Sequence, residues 1–141
     1  MKLEIAITIV LGVSLACSQP KPNENAITTP ITGIAWKLVE LGGNPAPAGS
    51  QAKPVTLQLL DSERRASGFA GCNQYSSAYE MEGTTLHFTP AISTKMACEA
   101  GMALEQAYLK AFEEARKYRQ TTNGLELIGD NDQVIARFEK P

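Results

Sequence analysis

The chain has 141 residues, enough for one domain with a short appendage. Its 43% hydrophobic and 20% charged content excludes a wholly disordered chain and a multi-span membrane protein. With 13 basic against 15 acidic side chains the net charge is −2, which offers no basic footprint for nucleic acid.

The appendage is at the front. Ile5 to Leu15 is an apolar run of about 11 residues, too short for a spanning helix, which needs roughly 20. It follows Lys2 and gives way to small residues, the layout of a secretory signal peptide. Its end, Leu15-Ala16-Cys17, resembles a bacterial lipobox, in which the cysteine is lipidated and becomes the mature N-terminus. Ser14 stands where leucine is typical, and Glu4 offsets Lys2. The competing readings are a plain cleaved signal with an unmodified Cys17, or an uncleaved anchor. The expected organisation is a lipoprotein signal over 1–16, the lipidated Cys17 with a proline-bearing tether over 17–33, and a folded body over 34–141. Pro20, Pro22 and Pro30 interrupt any helix in the tether. Ser18, rather than an aspartate, after Cys17 points by analogy to the periplasmic side of the outer membrane.

Most of the body reads as short strands. Trp36 to Leu41 is the first, closed by Gly42-Gly43-Asn44. Val55, Leu57 and Leu59 alternate with Thr56 and Gln58, a half-buried strand pattern. Ala66 to Gly71 is a third strand, in which Gly68 and Gly71 mark a bulge or a close backbone approach. Tyr75–Met81 and Thr85–Phe88 flank Glu82-Gly83 as a hairpin. Between Glu99 and Lys117 the period changes: Leu104, Tyr108, Ala111, Phe112 and Ala115 recur at helical spacing. Glu105, Lys110, Glu113, Glu114 and Lys117 take the other faces, with Glu113 and Lys117 a favourable i,i+4 pair. Asn123-Gly124 then separates Tyr118–Thr122 from Leu125–Ile128 as a hairpin, and Val134–Phe138 closes the chain. A lone helix can bury its stripe only against the sheet.

Catalysis finds little support. His87 is the one imidazole, and it lies between Leu86 and Phe88 on a strand, so it points outward if those two point inward. Glu80 and Glu82 share a strand face beside a turn, where exposed acids are ordinary. Asp130-Asn131-Asp132 imitates the opening of a calcium loop but lacks its spaced glycine and terminal glutamate, and reads as a turn. There is no Cys-x-x-Cys, zinc spacing, phosphate loop or dinucleotide fingerprint. No enzyme activity, metal or cofactor is expected.

In an exported body Cys72 and Cys98 form an even pair in an oxidising compartment. A disulfide closing a loop of about 26 residues would restrict the unfolded chain by about 3.5 kcal/mol. It would staple the start of the helix to a glycine-bent strand; the alternative is two buried thiols. Around them, Gly68-Phe69-Ala70-Gly71-Cys72-Asn73-Gln74-Tyr75 and Thr94-Lys95-Met96-Ala97-Cys98 have structural uses. The glycines permit tight geometry, Asn73 can bond its own turn, and Thr94 can cap or brace the loop before the helix. The same loops could also line a recognition surface.

The series Trp36-x-Leu38, Gly68-x-x-Gly71-Cys72-Asn73-x-Tyr75, Leu86-x-Phe88, Thr94-x-Met96-Ala97-Cys98, Glu105 and Leu125-x-Leu127 resembles the META (HslJ-like) domain family over about Ile34 to Glu139. A departure is Ser77-Ala78 after Tyr75, where a glycine is typical. The resemblance implies a mainly β, α+β fold: a small cracked antiparallel barrel, lipocalin-like in outline, with one helix packed on it. It implies no catalytic residue. The family's members are largely uncharacterised, and some are linked to envelope stress, drug resistance or motility and secretion. The reading that follows is a non-enzymatic envelope lipoprotein acting in stress tolerance or envelope assembly by binding another protein. Its rival is a carrier of a small apolar ligand or lipid. An interior packed by Trp36, Leu57, Phe69, Phe88 and Phe112 would favour the first; a connected apolar cavity would favour the second.

Overall fold

A computed structural model describes residues 29–141. Residues 1–28, with the signal, Cys17 and most of the tether, lie outside the described residues. The strands are β1 (Ala35–Leu41), β2 (Asn44–Pro45), β3 (Thr56–Leu60), β4 (Arg65–Phe69), β5 (Gln74–Glu82), β6 (Thr85–Phe88) and β7 (Ile92–Ser93). Helix α1 (Met102–Glu114) follows, then β8 (Lys117–Gln120), β9 (Gly124–Ile128) and β10 (Val134–Glu139).

All pairings are antiparallel, and β10 returns to β1, so eight strands close a barrel in the order β1-β3-β4-β5-β6-β8-β9-β10. The two-residue strands β2 and β7 add to β1 and β5 outside the ring. Neither is long enough to leave an alternation in the sequence. The β6–β8 seam is the narrowest, with Thr85 opposite Lys117 and flanking bonds from Leu86 N–H to Arg116 O (3.0 Å) and Tyr118 N–H to Thr84 O (2.9 Å). A barrel expected to be cracked is therefore closed, thinnest at this seam.

Alternation sends Trp36, Leu57, Leu59, Leu86, Leu125 and Leu127 inward, all fully buried, while Lys37, Arg65, Glu80, His87 and Arg119 face out. Phe112 is also fully buried, and Phe88 stacks on it at 3.9 Å between ring centroids. Phe69 departs from the expected core. Buried Ala66 and Ala70 set the inward parity of this strand, and Phe69, out of phase with them, is only half-buried and lies outside the core cluster. Across the outside of β1, β10, β9 and β8 runs a ladder of ion pairs: Glu40–Arg137 (2.6 Å), Arg137–Glu126 (2.9 Å) and Glu126–Arg119 (2.5 Å). Burial works against the Glu126 charge, but the hydrogen bonds from Arg137 and Arg119 outweigh it and hold that carboxyl below its usual range.

The folded body starts earlier than the sequence pattern suggests. Ile31 is 4% exposed and belongs to the core; its carbonyl accepts the Trp36 indole N–H at 2.9 Å. Gly33 N–H donates to Leu59 O at 2.8 Å. The last residues assigned to the tether are thus part of the folded body, anchored by the Trp36 indole and by the Leu59 carbonyl.

The helix is shorter than its periodic stretch. Gly101, at φ +101, precedes its first turn, and Ala115 is already extended. Beyond it Arg116 N–H is captured by Ile128 O at 2.8 Å and Lys117 joins β8. The expected Glu113–Lys117 pair therefore does not form. Lys117 bonds Asp132 at 2.8 Å, and Glu113 accepts the Ala91 N–H at 3.2 Å. The helix runs from beside Gly71 at its start to beside Gly129 at its end, across one mouth of the barrel, and touches β6 and β10. Ile31 and the turns after β3, β5 and β8 lie at the other mouth.

Candidate functional site

The Gly-Cys-Asn and Thr-Lys-Met-Ala-Cys segments meet at the helix-covered mouth. Gly71 (φ +128) and Gly101 (φ +101) press backbone against backbone, so a Cβ on Gly71 would come within 2.9 Å of Gly101 O. Ser50 N–H closes the third side on Gly71 O at 2.7 Å. Only residues without side chains allow this approach, and both need a left-handed backbone that glycine adopts freely. Gly68 makes a separate close approach, where a Cβ would collide with the Thr56 carbonyl oxygen.

This closeness brings Glu105, in the first turn of α1, under the Cys72–Asn73 backbone. Its carboxylate accepts Asn73 N–H at 2.6 Å and Cys72 N–H at 3.1 Å on one oxygen, and Asn73 Nδ2–H at 3.0 Å on the other. Glu105 is 6% exposed and Asn73 3%. Asn73 then reaches across to the second loop. Its Oδ1 accepts Met96 N–H (2.8 Å) and Thr94 Oγ1–H (3.0 Å), and its Nδ2 also donates to Met96 O (3.2 Å). The amide orientation is fixed by these partners, since a flipped group would set donors against donors. The Asn73 side chain thus clamps two loops to the helix and does not bond its own turn as expected, where the backbone alone closes the turn through Ala70 N–H to Asn73 O at 2.9 Å. Thr94 braces the loop and does not cap the helix, whose first turn starts at Gly101.

Cys72 and Cys98 are joined, with Cα atoms 5.8 Å apart. The expected staple from strand to helix start is present, and the alternative of two buried thiols is discarded. Behind it, the Tyr75 and Tyr108 hydroxyls share a hydrogen bond of 2.6 Å, and Tyr75 donates to Thr56 O at 3.0 Å. Burial, reinforced by the Tyr108 hydroxyl, raises the Tyr75 pKa well above its ordinary value; burial raises that of Tyr108 too. Beside exposed Thr94, Lys95 and Glu99, this segment presents two large apolar side chains to solvent. Met96 is 61% exposed and Ile92 on β7 is 80% exposed.

The other candidates lie apart from this mouth or play local roles. His87 points to solvent from β6, opposite Glu80, and Glu82 flanks the same hairpin turn. Asp130–Asp132 is a single turn between β9 and β10, with Asn131 at φ +63, and the Lys117 ammonium lowers the Asp132 pKa by hydrogen bonding. The role of Glu105 is hidden in the sequence pattern, where its charge groups it with the polar faces of the helix. Its spacing to Tyr108 and Phe112 (i, i+3, i+7) places it on the buried stripe, and that was the available signal.

These features define a small closed β-barrel with an apolar-filled interior, one mouth sealed by a helix and stapled to it. The META domain model matches residues 29–141, and the chain belongs to the META domain family. Among solved structures, an NMR structure of a protein from Burkholderia xenovorans is similar at 26% identity and a TM-score of 0.62, covering 87% of this chain and 99% of that one. A second NMR structure matches at 19% identity and a TM-score of 0.59, over 77% and 90% of the two chains. A crystal structure of a DUF4847 family protein from Bacteroides vulgatus matches at 14% identity and a TM-score of 0.58, over 77% and 93%. The last two share the fold. No curated protein matches the chain.

Proposed function

We propose that this protein is a non-enzymatic envelope lipoprotein, anchored through Cys17 on the periplasmic side of the outer membrane. Its META domain binds another envelope protein in stress tolerance or envelope assembly. The observation that carries the reading is the exposed Met96, whose loop is held through Asn73 to Glu105 at the mouth opposite Ile31, with exposed Ile92 held beside β5 four residues before it. A chain tethered from Ile31 can turn that mouth away from the bilayer. Exposed loops fixed by a rigid scaffold are where binding residues concentrate, and little ordering entropy is lost when they engage. The carrier reading finds less support, because Trp36, Tyr108, Phe112, five leucines and Val55 are fully buried and fill the barrel interior.

The test is site-specific crosslinking in the cell. A photoreactive residue at Lys95 should yield discrete protein adducts, and one at Lys140, near the other mouth, should not. Adducts at Lys140 alone, or none at either site, refute the reading. Labelled palmitate incorporated by the wild type but not by Cys17→Ala tests the anchor; unlabelled wild-type protein in the soluble fraction refutes it.

A further inference from the structure

Outside the barrel, β4, β5 and the kink before β7 form an open trough of about 510 Å3. We propose that it docks an extended peptide segment carrying an acidic and an apolar side chain two residues apart. This rests on the protein-binding reading and names the chemistry of the partner. The floor is low because the outward residues are small: Ser67 pairs with Ser76, and Ala78 lies two residues along. One wall is Thr89 to Ile92, fixed by Ser77 Oγ–H to Thr89 O (2.6 Å), Ala78 N–H to Thr89 Oγ1 (3.1 Å) and Thr89 N–H to Ala78 O (3.0 Å). The trough is preformed, so binding does not have to order it.

Its two ends differ in chemistry. Ile92 lies opposite Ser76 and stands 80% exposed. Arg65 lies opposite Ala78, and Arg64 beside it has no ion-pair partner among the described residues. The Arg65–Glu63 contact, at 3.4 Å with both side chains over half exposed, is weak enough to exchange. Ser76 and Ala78 are two residues apart on one strand face, a spacing of roughly 7 Å. An extended chain lying along β5 has the same spacing between its own same-face side chains. An acid at one position would meet the arginines while an apolar side chain at i+2 met Ile92. A basic segment would be repelled.

The probe is a blocked, fluorescently labelled heptapeptide with glutamate and leucine two residues apart, and its counterpart with lysine in place of glutamate. Anisotropy should show saturable binding of the first and about tenfold weaker binding of the second. Arg64→Glu with Arg65→Glu should weaken the first by about tenfold or more, and Ile92→Ser by about threefold. Amide shifts should fall on Ser76, Ala78 and Thr89. Equal binding of both peptides, unchanged binding by the charge-reversed variant, or shifts confined to other surfaces overturns the proposal. So does preferential binding to phosphatidylglycerol vesicles, which would make the arginines a membrane contact. If the peptide fails while the Lys95 crosslinks persist, the trough is wrong and the protein-binding reading stands.

Discussion

Glu105→Ala removes the acceptor for two buried backbone N–H groups, those of Cys72 and Asn73. A buried donor left unpaired costs about 1–3 kcal/mol, so the pair sets a loss of roughly 2–6 kcal/mol. Asn73 Nδ2 keeps Met96 O as a partner and adds little. Water entering the vacated space would place the result in the lower half, about 3 kcal/mol. Glu105→Gln separates acceptor loss from shape. One amide oxygen can still take the two backbone N–H groups, but the NH2 then faces Asn73 Nδ2, donor against donor, at roughly 1–2 kcal/mol. Exposed Glu114 supplies the control, since its alanine variant should stay within about 0.5 kcal/mol. Urea unfolding with the disulfide intact reads all three as midpoint shifts at constant slope, about 1 M or more for Glu105→Ala. Hydrogen exchange at the Cys72 and Asn73 amides should accelerate in parallel. A Glu105→Ala midpoint within error of the wild type would refute the clamp, because two orphaned buried donors cannot be free of cost.

Cys72→Ala with Cys98→Ala should lower stability by about 2–5 kcal/mol, yet Thr94 and Met96 should keep native amide shifts below the new midpoint, because Asn73 still holds them. Loss of those shifts in folded protein would make the disulfide the principal restraint. Ile31→Ala should cost about 2–4 kcal/mol by cavity formation, whereas Ile92→Ala should change the urea midpoint little; equal effects would return Ile31 to the tether. The hydrogen-bonded Tyr75 and Tyr108, like buried Tyr79, have raised pKa values, so above pH 10 the unfolded chain releases protons that the folded chain retains. Stability should thus be unaffected by these groups below pH 10 and fall above it, with a limiting slope of about 1.4 kcal/mol per pH unit for each tyrosine. Tyr108→Phe should lower that slope, measured by urea midpoints between about pH 9 and 11. An unchanged slope would mean that the pair does not govern alkaline unfolding.

The barrel strands, the helix and the cysteine pair are legible from residue patterns alone. Those signals are local: the period of two at Leu57 and Leu59, the period near 3.6 at Leu104, Tyr108 and Phe112, and the turn chemistry of Asn123-Gly124. Side-chain periodicity follows from backbone geometry, so it can be read without knowing the partner. Contacts that cross between elements are not legible in this way, because they depend on how the chain folds back on itself. Ile31 reads as tether residue until the Trp36 indole is seen to bond its carbonyl, and Lys117 reads as helical until β9 captures the backbone beside it. Asn73 has the same turn propensity in any loop, and its bonds to Met96 and Glu105 exist because Gly71 and Gly101 let the helix close on the strand. Propensity belongs to one residue and its neighbours, whereas a hydrogen bond over 32 positions depends on where the rest of the chain has gone.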